Sequence, residues 1–138
     1  MVNRENLKIL SDGLLGLTKP VISVRGVKFD MNIYTNDSNT FTRCGTAGCA
    51  VGWGPFFGIK KLETEMFIIY RNRCFTDNEY GVGRYLFSPL WSRTDNTKKG
   101  AGLRIKYYLE HGLPFDWHEQ MLGDAPLSYR QNIKTTKQ

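Results

Sequence analysis

The sequence predicts an α+β fold that is mainly helical: a single compact domain with four to five helices and a small β element of two or three strands. Three observations indicate this class: leucines at helical spacing near the amino terminus, an alternating segment after them, and a well-capped helix late in the chain. The 138 residues suit one domain. We expect residues 1–127 to be globular and the basic, polar residues 128–138 to form a frayed tail.

The first helix is predicted to begin after Asn3, a good N-cap, and to end at Lys19-Pro20. Residues 27–33 then alternate apolar with polar side chains, which predicts a half-buried strand, although a short helix capped by Asp30 is a competing interpretation. Residues 35–40 are polar and favour a loop. The leucines of the first helix lie three and four residues apart: Leu7, Leu10, Leu14 and Leu17.

The stretch from Cys44 to Pro55 is the densest in special-purpose residues, with two cysteines, four glycines and a tryptophan. Thr46 as an N-cap and Gly54-Pro55 as a stop predict a short helix over residues 47–53. Gly48 and Gly52 would then share a face without side chains, and we expect another backbone to approach it closely.

Two further elements are predicted in the middle of the chain. Residues 66–70 form a continuous apolar run between charged residues, which indicates a buried strand. Thr76 and Glu79 have the spacing of a capping box, so a helix is predicted from there through Leu86, with Trp91 in the core.

The most clearly marked helix runs from Lys98 to His111, between a cap cluster at residues 94–97 and a stop at residues 112–114. Residues 100–102 near its start are as small as the Gly48/Gly52 face, and we predict that these two small faces meet. A last short helix is predicted over residues 117–122. The apolar face of the long helix is Ala101, Ile105, Tyr108 and Leu109.

The same helix carries the candidate partner-binding residues, four basic side chains expected to point outward. A solvated surface is the plainer interpretation of such a face. The net charge of +6 permits an acidic partner, either nucleic acid or protein. The four residues are Lys98, Lys99, Arg104 and Lys106.

The cysteines allow three chemical interpretations. A thiol hydrolase would use Cys44 or Cys49 as nucleophile, with His111 or His118 as base. A metal site would combine Cys74 with Cys44, Cys49 and His111, although only one pair of these ligands is closely spaced. A disulfide between Cys44 and Cys49 would leave one cysteine over. We expect reduced, largely buried thiols with no catalytic residue, metal or cofactor.

The sequence predicts no membrane segment, since it has no long apolar run and its mean hydropathy is −0.41. The first five residues include the charged Arg4 and Glu5 and lead into an amphipathic pattern rather than an apolar signal core, so we expect a cytoplasmic protein.

The central motif Cys-Gly-Thr-x-x-Cys-x-x-Gly-Trp, at residues 44–53, resembles a group of small proteins from bacteriophages and prophages. The resemblance runs from the first helix to Pro114 and includes residues 29–31, Leu86-Phe87, Trp91, Gly100-Ala101, Arg104-Ile105 and residues 112–114. It implies an accessory gene of a phage or mobile element that acts in the host cytoplasm, and it carries over no catalytic residue.

In that context we expect a non-catalytic binding module that inhibits or modulates a host defence or regulatory protein. The thiol hydrolase, a nucleic-acid-binding protein that uses the basic helix, and a small-molecule sponge are the alternatives. The oligomeric state is left open.

Overall fold

Two helices of the computed structural model, α1 (Arg4–Leu14) and α4 (Lys98–His111), pack against each other and organise the fold. The structure describes residues 1–23, 27–31 and 47–130. Five α-helices, three 3₁₀ helices and two short strands lie in these ranges. In chain order they are α1 (Arg4–Leu14), β1 (Lys28–Phe29), β2 (Ala47–Gly48), a 3₁₀ helix (Gly54–Phe57), α2 (Phe67–Cys74), a 3₁₀ helix (Glu79–Gly81), α3 (Val82–Phe87), a 3₁₀ helix (Pro89–Arg93), α4 (Lys98–His111) and α5 (Trp117–Leu122).

The mainly helical class is therefore confirmed, and the β element is small. In the described ranges it consists of two residues from each strand, with Lys28 paired to Ala47 and Phe29 to Gly48 in parallel. Met31 follows in a turn and is buried. The rest of the predicted strand, the loop at residues 35–40 and Thr46 lie outside the described residues.

Side-chain caps explain why α1 and α4 begin where the sequence predicts. The Asn3 side chain accepts the Asn6 N–H, and Thr97 Oγ1 accepts the Gly100 N–H. α4 ends at Gly112, as expected, whereas α1 ends at Leu14, before the predicted Lys19-Pro20 stop. Leu7, Leu10 and Leu14 of α1 are buried, but Leu17 lies beyond the helix and is exposed.

The prediction that the small residues 100–102 of α4 meet the Gly48/Gly52 face is wrong, because Gly100 and Gly102 face other side chains. A Cβ at Gly102 would lie 2.7 Å from Leu15 Cγ, and the Ser11 hydroxyl donates to the Gly102 carbonyl at 2.8 Å. A Cβ at Gly100 would overlap the Asp95 carboxylate instead. The small residues of α4 thus admit α1 and an acidic side chain, because only glycine leaves room for both.

The prediction of a helix over residues 47–53 is also wrong. After β2 the chain makes turns, in which the Trp53 N–H donates to the carbonyls of Cys49 and Ala50. Pro55 does not end a helix here; it occupies the first turn of the 3₁₀ helix Gly54–Phe57. A proline has no N–H to lose at that position, so the same residue that stops one helix can begin another.

The strand predicted over residues 66–70 is a helix, α2. Its buried residues Phe67, Tyr70 and Cys74 are spaced three and four apart, and Ile69 between them is about half exposed. The buried positions therefore have a helical period, which a continuous apolar run does not reveal in the sequence. Tyr70 donates its hydroxyl to the Ile59 carbonyl and lies so close to Gly54 that a Cβ there would clash with it.

The helix predicted from the Thr76–Glu79 capping box begins later, at Val82. Thr76 donates its hydroxyl to the Asp77 carbonyl rather than capping a helix. Tyr80, inside this 3₁₀ helix, has a left-handed backbone with φ of 56°, and Gly81 after it has φ of 82°, so the chain changes direction before α3 begins.

The carboxyl-terminal end of the described chain is packed, so the prediction that fraying begins at Ser128 is wrong for Tyr129 and Arg130. Tyr129 is buried, and both side chains bond to Asp95. Residues 131–138 lie outside the described ranges. Trp91 is fully buried in the core, as predicted, and its indole N–H donates to the Tyr85 carbonyl. Within the described part of the chain, no helix is long and apolar enough to span a membrane.

Candidate functional site

The described cysteines lie in the core, away from solvent. Cys49 is a free thiol and is buried, and that burial raises its pKa to about 11 despite nearby backbone N–H groups that act in the opposite direction. Cys74 is also free, and burial raises its pKa as well. A nucleophilic cysteine needs a lowered pKa, so the environment of Cys49 is opposite to what the hydrolase requires. Cys44 lies outside the described residues.

The two histidines lie near the end of α4 and on α5. The ring of His111 is 4.6 Å from the Tyr107 ring centroid, and its Nε2 is 3.9 Å from a Glu110 carboxylate oxygen. The ring of His118 lies 3.8 Å from that of Trp117. Both histidines are exposed. No group of three or more potential ligands in residues 1–23, 27–31 and 47–130 could hold a metal ion.

The basic face of α4 is smaller than the sequence predicts, because Arg104 is fully buried and does not belong to it. Lys98, Lys99 and Lys106 are exposed. The ammonium group of Lys98 lies 4.8 Å from the centroid of the Trp53 ring, which joins this helix to the Cys44–Pro55 stretch.

Arg104 belongs instead to a buried polar cluster around Asp95, the Asp95 cluster. Its Nη1 donates to the Tyr129 hydroxyl at 3.0 Å and lies 3.4 Å from Asp95 Oδ2. Its Cζ is 4.2 Å from the centroid of the Trp91 ring, a stacking contact. The Nε and Nη2 atoms of Arg104 are buried and have no hydrogen-bond partner among the described residues.

Asp95 is the hub of this cluster. It accepts hydrogen bonds from Thr97 Oγ1 at 2.8 Å, from the Tyr129 hydroxyl at 2.9 Å and from Arg130 Nη2 at 3.0 Å to both carboxylate oxygens. Burial alone would raise the pKa of Asp95, but these hydrogen bonds and the charge of Arg104 outweigh it and hold the pKa below its usual value. The cluster therefore ties the start of α4 to the end of the described chain.

The sequence contains a signal from which the burial of Arg104 could have been predicted. It lies three residues after Ala101 and four before Tyr108, within the apolar stripe of the helix rather than opposite it. Because Trp91 provides a ring to cover the guanidinium, the position can be buried in spite of its charge.

A groove at the surface between α2, α3 and the 3₁₀ helix Pro89–Arg93 is the site that the sequence did not indicate. It encloses about 420 Å³, and two arginines, Arg71 and Arg84, are among its lining residues. We call it the Arg71/Arg84 groove. Its other lining residues are Asn78, Gly83, Phe87, Ser88, Pro89 and Leu90.

The Arg71/Arg84 groove combines positive charge with apolar surface. Arg84 is exposed and, in the described ranges, makes no ion pair. Phe87 is buried and forms part of the groove floor, whereas Pro89 is exposed and Leu90 is partly so. Such a groove can bind a ligand that has both an anionic and an apolar group.

Comparisons of the chain with protein-family models, with curated proteins and with solved structures find no match.

Proposed function

We propose that the chain is a small phage-type accessory protein that acts in the host cytoplasm as a non-catalytic binding module on a host defence or regulatory protein. The phage context comes from the sequence resemblance at residues 44–53. The observation that supports binding is the Arg71/Arg84 groove, which places two arginines beside apolar side chains on an open surface. Protein segments present charged and apolar side chains together, so a groove with both suits a protein partner.

Nucleic-acid binding through α4 is the second candidate function. Lys99 and Lys106 are exposed and seven residues apart, so they lie on one stripe of the helix, two turns from each other. Two lysines make a small phosphate-binding footprint, and the burial of Arg104 removes the residue that would have extended it. The groove is therefore our first choice.

The two surfaces can be separated with variants that remove the same charge. The first is Arg71→Gln with Arg84→Gln, and the matched variant is Lys99→Gln with Lys106→Gln. Each protein is tagged, expressed in a bacterial host and purified, and the proteins that accompany it are quantified by mass spectrometry.

We expect a stoichiometric protein partner that the original chain and the lysine variant retain and that the arginine variant loses. Circular dichroism and urea unfolding establish that both variants fold. A partner retained by the arginine variant argues against the groove, and nuclease-sensitive binding that only the lysine variant loses supports the nucleic-acid function instead.

A further inference from the structure

We propose that the Arg71/Arg84 groove recognises an acidic peptide segment in which Asp or Glu residues alternate with apolar ones. The carboxylates would lie against the two arginines, and an apolar side chain would lie on the wall formed by Pro89 and Leu90. This inference rests on the proposed function, because it names the chemistry of the segment that the groove takes from a partner protein.

The first argument is that the two neutral polar side chains of the groove offer hydrogen-bond donors. Asn78 Oδ1 already accepts the Arg84 backbone N–H at 2.7 Å, and Ser88 Oγ already accepts the Leu90 backbone N–H at 3.1 Å. The groups of these side chains that can most readily bond to a ligand are therefore donors, the Asn78 amide N–H₂ and the Ser88 O–H. The fold has used their acceptor oxygens for its own backbone, so the groove favours a ligand rich in acceptors.

The second argument concerns the two guanidinium groups. Arg71 directs its Nε and Nη2 to Asn72 Oδ1, at 3.1 and 2.8 Å, which orients the group, and among the described residues Nη1 has no hydrogen-bond partner. Arg84 has no carboxylate partner in the described part of the chain. Two arginines facing one groove match the geometry and charge of carboxylates.

Asp77 is an acidic residue within reach of the charge of Arg71, but its carboxylate is already engaged. One oxygen accepts from the ammonium group of Met1 at 3.0 Å, and the other accepts the Glu79 backbone N–H at 3.0 Å. These contacts, with a smaller contribution from the charge of Arg71, lower the pKa of Asp77. The Asp77 carboxylate is therefore close enough to interact with the charge of Arg71, but both of its oxygens are bonded to other groups.

The apolar wall distinguishes a peptide from a bare anion. Inorganic phosphate would use the donors of the groove but would leave the accessible apolar surface of Pro89 and Leu90 uncovered. The volume of about 420 Å³ suits a short segment of a few residues. An acidic segment with interspersed apolar residues uses both the charge and the wall, so it is the occupant that the groove fits.

The test uses the full chain and a fluorescently labelled peptide of alternating Asp and Leu, with binding followed by fluorescence anisotropy. The matched peptide has Asn in place of every Asp. We expect the Asp peptide to bind about tenfold or more tightly than the Asn peptide, and to weaken by a similar factor with Arg71→Gln/Arg84→Gln. The Lys99→Gln/Lys106→Gln variant should bind like the original chain, and added salt should weaken binding.

Equal binding of the two peptides, or unchanged binding by the arginine variant, would overturn the inference. Displacement of the peptide by an equal concentration of inorganic phosphate would also overturn it, because the groove would then recognise an anion alone. If the peptide fails to bind but the arginine variant still loses its host partner, the proposed function stands and the ligand class is wrong. If the peptide binds but the variant keeps its partner, the ligand class stands and the proposed function of the groove is wrong.

Discussion

The guanidinium of Arg104 is held by aromatic rings as much as by hydrogen bonds. Its Cζ lies 4.2 Å from the centroid of Trp91 and 5.4 Å from that of Tyr129, while its Nε and Nη2 find no described partner. Asp95 has the opposite character, since Thr97, Tyr129 and Arg130 all donate to it. Arg104 therefore depends on Asp95 for its counter-charge, whereas Asp95 would keep other hydrogen-bond donors if Arg104 were removed.

We predict that Asp95→Ala lowers the free energy of unfolding by about 3–5 kcal/mol, because it leaves the buried Arg104 charge without a counter-ion. Arg104→Met should cost less, since Asp95 keeps its other donors and the unpaired Nε and Nη2 disappear. The double variant should cost less than the sum of the two single variants. Urea unfolding measures all three, with Lys99→Ala as an exposed control that changes stability by less than about 0.5 kcal/mol. Additive costs would show that the pair is not coupled.

Side chains whose position in a helix is clear from the sequence were predicted well, and those placed by distant contacts were not. The burial of Leu7, Leu10 and Trp91 follows from local pattern. The bonds that join Asp95 to Tyr129 and Arg130 connect residues 34 and 35 positions apart, and no local pattern encodes them. The Arg71/Arg84 groove was missed for the same reason, because it forms only when α2, α3 and the 3₁₀ helix Pro89–Arg93 come together.

At the scale of elements, α3 is shaped by a single close approach. A Cβ at Gly83 would lie 2.7 Å from the Asp77 carbonyl oxygen and 3.2 Å from its carbonyl carbon. The Asn78 side chain, next in the chain, accepts the Arg84 N–H of the same helix. The turn before α3 therefore lies against the first residues of the helix, and a side chain at Gly83 would have to displace it.

We predict that Gly83→Ala destabilises the protein although the position is helical. Helix propensity alone would make alanine about 1 kcal/mol more favourable than glycine. The steric contact with the Asp77 backbone acts against this gain, and we expect it to prevail with a net cost of about 1–3 kcal/mol. Thermal unfolding followed by circular dichroism gives the sign directly. A variant more stable than the original chain would mean that the turn at Asp77 can move away.

Caps at both ends make a helix predictable from the sequence, but they are not required: α5 has no side-chain cap, and its predicted bounds, residues 117–122, are those observed. α4 has Thr97 at its start and Gly112 at its end, and its predicted bounds are those observed. α2 has no side-chain cap, and its apolar run was assigned to a strand. Pro55 was assigned to the end of a helix although it begins one, because proline is compatible with both positions and only the tertiary contacts of Gly54 with Tyr70 decide.

At the scale of the whole molecule, three carboxylates join separate parts of the chain. Asp95 joins α4 to Tyr129 and Arg130. Glu65 accepts from Arg73 of α2 with both oxygens at 2.7 Å, and Asp77 accepts from the amino terminus. The hydrogen bonds from Arg73 lower the pKa of Glu65, so all three groups have a pKa below the usual value. The folded chain thus keeps these groups ionised at a pH where the unfolded chain takes up protons.

We predict that the free energy of unfolding falls as the pH drops below about 4, where the carboxyl groups of the unfolded chain become protonated. Their contribution is fully present above that pH and is lost as the pH falls through the lower pKa values of the folded state.

Asp95→Asn should be less stable than the original chain at about pH 7, and the difference should narrow from about pH 4 downward because asparagine does not titrate. Urea unfolding across this range measures both curves, with Lys99→Gln as a control at an exposed side chain that is not a carboxylate, whose curve should parallel that of the original chain. If the Asp95→Asn curve stays parallel to the original down to about pH 3, the Asp95 cluster contributes nothing to the acid sensitivity of the fold.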